Sequence, residues 1–438
     1  MLLFELYSDS EKNNLFEDLL DIFIKICTKS IHNCFCCSKE LLSEFLLDLF
    51  PTFVSKEKIQ QKIVNLITVL LSRNLKTSNL KRIISFLQQS SSLRITDLFV
   101  QALKMMTKVS SYEPKFFFDF NGINSNLNIQ SKSKWPPSSG YSFLGWIRLE
   151  SFPHKGNQKN AKEPKLTIFS FDNSKSKFKL FITKKQAPHK MAKDKHQLSS
   201  HNIEDLEAVE MQNEETISVS FNYTVKFNNT KESSAIQTEI PMRKWIFISL
   251  VHKSSFLSSN GDLSLFIDSR MVKTLSQRYP KTSEIVQARI GSKTNLKHFF
   301  FGQMGSIYLF NKALKEEQIH AIYSLKPNYS YSFVPIEWAF DTDPNFVSSK
   351  ILSENLNRKL FLKISAQYCN QDVCYDYNAK TNSCIQKMEM DHVVIIKITN
   401  IFEGIFKIGG VVTMLPFFLK FDNMINENLN ENLNENYK

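Results

Sequence analysis

"WPPSSGYSFLGWIRLE", residues 135–150, decides how the middle of this chain is read. The run packs two tryptophans, a Pro-Pro pair and a Ser-Ser-Gly turn into one stretch that ends on an exposed-looking Arg148-Leu149-Glu150. Exposed aromatics can stack on sugars or bases, whereas sandwich strands commonly bury a tryptophan. Phe143, Ile147 and Leu149 around Trp146 favour a core position for that ring. Pro136-Pro137 and Ser138-Ser139-Gly140 read as the turn that feeds the strand.

Short β-rich runs continue on both sides. They include "FFFDFNG" (116–122), "LTIFSF", "FKLFIT", "TISVSFNYTVKF", "WIFISLVH", "LSLFID", "VQARIGS" and "GQMGSIYLFN" (302–311). Many short strands without intervening helices predict an antiparallel β-sandwich over 112–335 rather than a parallel α/β sheet. "SSNGD" at 258–262 supplies a hairpin, with Gly261 free to take positive φ. One helix, "LKEEQIHAIYSL", follows, with Glu316 and Glu317 near its positive end.

In "KWIFISLVHK", Trp245, Phe247 and Val251 point one way and Ile246, Ile248 and Leu250 the other. A free-standing sandwich needs one apolar face per strand. An outer face is therefore expected to be covered by the flanking helices.

Those flanks have helical spacing. Residues 1–111 hold apolar sets at Leu15, Leu19, Ile22 and Ile26; at Leu42, Phe45, Leu46 and Leu49, stopped by Pro51; and at Ile59, Ile63, Leu66 and Leu70. Two further sets are Leu80, Ile83, Ile84 and Leu87, and Ile95, Leu98, Ala102 and Met105. Steps of three and four predict five amphipathic helices, packed as antiparallel pairs in the manner of an armadillo or HEAT solenoid. Ser78 is the expected N-cap of the fourth. Near the other end, Val394, Ile398, Ile401, Ile405 and Ile408 step by four and three. That spacing predicts a second helical segment over 391–422, with a helix stopped by Gly409-Gly410.

Residues 184–215 join a basic block, "KKQAPHKMAKDKH", to an acidic one, "IEDLEAVEMQNEE", and read as a disordered insertion. Residues 336–390 read as an irregular linker and 423–438 as a low-complexity tail. The start has no basic region or cleavage site, and no apolar run is long enough to span a bilayer. A cytoplasmic protein with reduced thiols at its seven cysteines is expected, peripheral on endomembranes at most. The +12 net charge is read chiefly as a solvated, lysine-rich surface. It allows contact with an anionic membrane, and no nucleic acid is expected.

No nucleotide-binding, hydrolase or metalloprotease signature is present, so no enzyme, catalytic residue or cofactor is assigned. The nearest approach to a metal site is "HNCFCC", with His32, Cys34, Cys36 and Cys37. Structural zinc wants two spaced pairs, and adjacent Cys36 and Cys37 cannot readily turn to one ion, so ordinary thiols between helices are the better reading. Cys369, Cys374 and Cys384 have no nearby histidine, and "DTDPN" at 341–345 lacks the rest of a calcium loop.

Four of these stretches carry a family resemblance. "WPPSSGYSFLGWIRLE" resembles the concanavalin A-like domain of BEACH-domain proteins, the group containing neurobeachin and the beige/Chediak–Higashi proteins. "FFFDFNG" resembles that domain's opening strand, and "FFGQMGSIYLFNKALKEEQIHAIYSL" its closing strand and helix, with Gly302-Gln303-Met304 the most specific block. "IGGVVTMLPFF" (408–418) resembles the armadillo-like region that follows. The resemblance implies an amino-terminal part of such a protein without its BEACH domain. It further implies a non-enzymatic scaffold in vesicle trafficking, lysosome-related or autophagic processes, with kinases or trafficking factors as protein partners. The alternative is a lectin-like carbohydrate-binding module, although fold does not imply sugar binding.

Overall fold

The structure is a computed structural model, and it describes residues 10–53, 55–89, 92–109, 113–131, 133–152, 164–185, 216–227, 230–291, 300–329, 333, 356–370, 373–378, 383–410 and 412. Most of the 184–215 insertion, the DTDPN turn, "IGGVVTMLPFF" beyond 412 and the 423–438 tail lie outside the described residues. The chain divides into two compact units, Met1–Tyr112 with Ile398–Lys438, and Glu113–Lys397.

The first unit is helical: α1 (Ser10–Lys29), α2 (Ile31–Lys39), α3 (Leu42–Leu49), α4 (Glu57–Leu71), α5 (Thr77–Gln89) and α6 (Leu93–Val109). Helix α4 is its centre. Ile59, Ile63, Leu66 and Leu70 are buried as the spacing predicts, but so are Val64, Ile67 and Leu71, because α1, α2, α3 and α6 all pack on it. Two details depart from expectation. Helix α1 buries Phe16, Leu20 and Cys27, while Leu15 and Ile22 are exposed. Two apolar stripes of the same period lie on this helix, and only its packing against α4 selects one. Ser78 lies inside α5 instead of capping it. A side-chain cap forms instead at α2, where Ser30 Oγ accepts from Asn33 N at 3.1 Å.

The predicted 391–422 helical segment is corrected. Residues 393–397 form a strand, and among the described residues of this segment only the short stretch Ile401–Lys407 is an α-helix. "VVII" is β-branched and satisfies a period of two as well as one of 3.6, and the exposed edge of a sheet settles the choice. Asn400 Oδ1 caps the helix by accepting from Glu403 N at 2.9 Å. Gly409 and Gly410 close it at positive φ, as expected, with Gly410 N donating to Ile405 O at 2.9 Å.

The second unit is built on two antiparallel sheets. One contains β1 (Phe116–Asn121), β4 (Tyr141–Leu149), β9 (Trp245–Lys253), β10 (Asn260–Ile267), β11 (Arg270–Arg278), β13 (Phe301–Phe310), β14 (Leu360–Ile364) and β17 (Val393–Lys397). Its order is β11-β10-β9-β4-β13-β1-β17, with β14 paired to the second half of β13. The other contains β2 (Asn126–Gln130), β3 (Lys134–Trp135), β5 (Leu166–Asn173), β6 (Lys177–Lys184), β7 (Thr216–Lys226), β8 (Lys231–Pro241), β12 (Ser283–Gly291), β15 (Val373–Asn378) and β16 (Ser383–Asp391). These run β15-β16-β2-β12-β5-β6-β7-β8, with β3 on β12. The predicted irregular linker 336–390 is thereby corrected, since β14, β15 and β16 within it extend both sheets. No local apolar alternation announces them; they form because neighbouring strands offer unpaired edges.

Both sheets contribute to one core, in which Phe118, Phe143, Ile147, Leu149, Phe169, Phe221, Ile248 and Leu250 meet. Trp135 belongs to this core, and Trp146 does not. Side chains alternate along β4, so Trp146 shares the opposite face with Leu144, beside Phe247, Val251 and Tyr308. Trp146 is buried, as predicted, but under a different cover. The helix α7 (Glu316–Ser324) lays Ile319 and Ile322 over that face, and Trp146 stacks on Tyr323 at 5.6 Å. The expected helical cover is thus supplied by the unit's own helix. The cap of α7 includes Gln318 Oε1 accepting from Lys315 N at 3.1 Å.

Gly261 is needed for a different reason from the one expected. It lies within β10, and a Cβ there would sit 2.1 Å from Lys253 O. Close approach of two backbones, not positive φ, demands glycine.

At one end of the core, a histidine is buried among phenols. His252 is fully buried, with its ring 4.7 Å from Tyr279, 5.4 Å from Tyr223 and 5.7 Å from Tyr141. The Tyr141 and Tyr223 hydroxyls are 2.7 Å apart, and burial pushes both phenols well above their ordinary range. His252 Nε2 contacts Gln277 O at 3.2 Å, while Nδ1 has no hydrogen-bond partner among the described residues. Burial pushes the imidazole down from 6.5 to about 4. An unfolded His252 takes a proton below pH 6.5, whereas the folded one refuses it until about pH 4. Stability should therefore fall as pH drops through that window, by about 2 kcal/mol between pH 7 and pH 4.5 from this group. Urea midpoints at the two pH values check it, with His252→Gln expected to lose that share of the slope. An unchanged slope in the variant would sink the assignment.

Candidate functional site

The three sandwich stretches that carry the family resemblance converge on one polar cluster. Registers place Asp119 opposite Gln303 and Gln303 opposite Arg148, on adjacent strands β1, β13 and β4. Arg148 stands in turn opposite Trp245 on β9. The Gln303 amide joins its neighbours in one orientation. Its Nε2 donates to Asp119 Oδ1 at 2.8 Å, and its Oε1 accepts from Arg148 Nη1 at 2.7 Å. Arg148 Nη1 also pairs with Glu150 Oε2, and Nε donates to Arg243 O at 2.7 Å. Arg243 holds positive φ in the turn before β9, and its N donates to Leu149 O at 2.9 Å.

The cluster is buried. Asp119 and Arg148 are 4% exposed, Glu150 is 3% exposed and Gln303 is 0% exposed. The exposed reading of Arg148-Leu149-Glu150 is therefore corrected. A charge taken out of water is tolerated when a paired charge and several hydrogen bonds replace its hydration, and here the guanidinium fork supplies both.

Gly302 and Gly305 explain the remainder of the "GQMG" block. A Cβ on Gly302 would meet Arg148 O at 2.1 Å, so only glycine lets β13 lie this close to β4. Gly305 leaves room at a bulge, where a Cβ would stand 3.2 Å from Trp146 Cβ. Met304, between them, faces the inter-sheet core. Sequence reasoning singled out these stretches as family markers without seeing that Asp119, Arg148, Glu150 and Gln303 form one unit. A strongly polar residue inside an otherwise apolar strand, Asp119, Arg148 and Gln303 in the three quoted runs, was the available signal.

The chemistry open to this cluster is structural. Every group named accepts or donates within the cluster, and no serine, cysteine or histidine nucleophile stands among them. The thiols of the first unit are also local. Cys34 Sγ contacts Val69 O at 3.6 Å, and Cys36 Sγ approaches His32 Nε2 at 3.7 Å across one turn of α2. Burial, with Cys34 and Cys37 alongside, pushes the Cys27 thiol well above its usual range, making it a poor nucleophile. Among the described residues, no group of three or more His, Cys, Asp or Glu is placed to hold a metal ion. Cys27, Cys34, Cys36 and Cys37 are thiols outside any disulfide, whereas Cys369 is disulfide-bonded. That corrects the expectation of seven reduced thiols, which composition could not refine because pairing depends on how the fold brings two sulfurs together. No helix among the described residues is long and apolar enough to cross a membrane.

No family model matches the sequence. The chain is 27% identical over 371 residues to a BEACH domain-containing protein B of Arabidopsis thaliana, a match covering 80% of this chain and 12% of that protein. It is 21% identical over 429 residues to a putative neurobeachin homologue of Caenorhabditis elegans, covering 93% of this chain and 15% of the relative. A Dictyostelium discoideum BEACH domain-containing protein, lvsE, is 18% identical over 390 residues, covering 87% and 16% respectively. The chain thus spans only 12–16% of the length of these relatives. Among solved structures, a heptameric SAP-like pentraxin from Limulus polyphemus aligns with a TM-score of 0.31 at 12% identity, over 48% of this chain and 82% of that one. The botulinum neurotoxin serotype G binding domain aligns with a TM-score of 0.31 at 14% identity, over 50% and 47%. Scores at that level say nothing about ligands. The sequence matches, running along most of the chain, make it a homologue of the BEACH domain-containing proteins and neurobeachin homologues.

Proposed function

We propose that this chain is a non-enzymatic interaction module of a BEACH-like protein, a concanavalin A-like jelly roll with armadillo- or HEAT-like helices. It presents protein-binding surfaces on the cytoplasmic side of endomembranes in vesicle trafficking, lysosome-related or autophagic processes. One observation carries the reading: Asp119, Arg148, Glu150 and Gln303 of the family-marking strands are spent on a buried strand-to-strand network, which leaves the outer surface to recognition. Similarity to BEACH-domain proteins over 80–93% of the chain supports this reading.

The test is proximity labelling in cells of the source organism, with a biotin ligase fused to the amino terminus, alongside a glycan array with and without calcium. Enrichment of vesicle-trafficking factors and a blank array are expected. A labelled set without such factors, or saturable glycan binding, overturns the reading, the latter in favour of a lectin-like module.

A further inference from the structure

The loop joining β9 to β10 presents two apolar side chains fully to solvent: Phe256 is 102% and Leu257 101% exposed. A loop that only connects strands is served by small polar residues, and Ser254, Ser255, Ser258 and Ser259 surround the pair. The backbone is held. Ser254 Oγ donates to Ser138 O, Ser255 Oγ accepts from Leu257 N at 3.2 Å, and Ser258 Oγ accepts from Asn260 N at 3.0 Å. Ser259 O accepts from Tyr279 N at 3.0 Å. The Phe-Leu pair is thus displayed on a fixed tip.

The surrounding charge is basic. Lys253 precedes the loop, and Lys281 lies just beyond Tyr279; both are exposed. The Lys281 carbonyl accepts from Asn173 Nδ2 at 2.9 Å, which brings the turn bearing exposed Lys175 to the same end. Gly140 packs against Lys253 Cα and Ala313, bringing exposed Lys312 there as well. Two carboxylates at this end are engaged with cations, Asp172 with Lys177 and Glu232 with Arg278, while Asp262 and Glu284 are exposed. Asp262 stands across from Lys253, and Glu284 beside Ser174.

We propose that this end of the sandwich docks on an anionic lipid bilayer, Phe256 and Leu257 entering the headgroup–acyl boundary and the lysines lying over anionic headgroups. A protruding apolar tip suits a yielding interface and not a rigid pocket-bearing partner, and flexible ammonium groups suit a diffuse negative surface. The inference goes beyond the protein-contact reading, and its failure would leave that reading standing.

The test is co-sedimentation of the full chain with phosphatidylcholine vesicles, with and without roughly one-third phosphatidylserine. Binding should require phosphatidylserine and weaken as salt rises. Phe256→Asp with Leu257→Asp should lower the bound fraction roughly tenfold with an unchanged thermal midpoint, since the two side chains are fully exposed. Lys175→Glu with Lys281→Glu should lower it further in low salt than in high salt. Equal or absent binding to both vesicle types, or wild-type binding by the Asp variant, overturns the proposal.

Discussion

Replacing Arg148 by methionine is expected to destabilise the sandwich by about 3–5 kcal/mol. Methionine roughly fills the space, so the loss is electrostatic in origin. Glu150 Oε2 and Gln303 Oε1 would lose their shared donor, and a carboxylate 3% exposed would be left without its cation. All four tryptophans lie between residues 135 and 338, so urea unfolding followed by their fluorescence reports on this unit. A second variant separates charge from packing. Adding Glu150→Gln to Arg148→Met removes the orphaned charge, and the cycle should show a coupling of about 0.5–3 kcal/mol. A single-variant loss under about 1 kcal/mol would mean that the pair behaves as if solvated.

Trp135→Ala should cost about 3–5 kcal/mol, measured the same way. The ring is 1% exposed and lies 4.5 Å from Phe171, 4.7 Å from Tyr141, 5.5 Å from Phe178 and 5.9 Å from Phe361. Those neighbours come from strands of both sheets, so a cavity there cannot close without moving one sheet against the other. Trp135→Phe should cost much less. It keeps an aromatic plane in the stack and removes an indole N–H that has no hydrogen-bond partner among the described residues. Similar losses for alanine and phenylalanine would show that the stack is not what the ring contributes.

The comparison of Trp135 with Trp146 shows how far the residues could be read in advance. Trp146 was legible as buried from Phe143, Ile147 and Leu149 around it, whereas Trp135, beside the Pro-Pro turn, was open to either reading. Their separation into different clusters was not legible: Trp135, on β3, enters the core between the sheets, whereas alternation along "YSFLGWIRL" turns Phe143 and Ile147 toward that core and Trp146 to the outer face of the other sheet. The polar cluster was less legible still. Asp119, Arg148 and Gln303 are separated by up to 184 residues, and a cross-strand register is invisible until the strand order is known.

What the sequence by itself determined is local: the helical texture of the first hundred residues, the short-strand texture of the middle, the glycine stop after Lys407 and the turn before Tyr141. Each follows from side-chain period or from backbone freedom at one or two residues. Tertiary structure alone decided which stripe of α1 is buried, that "VVIIK" is a strand, that β14, β15 and β16 join the sheets, and that three distant polar side chains share one hydrogen-bonded row. In each case two conformations or environments suit the local residues almost equally, and the choice falls to the neighbour that offers a matching edge, groove or charge.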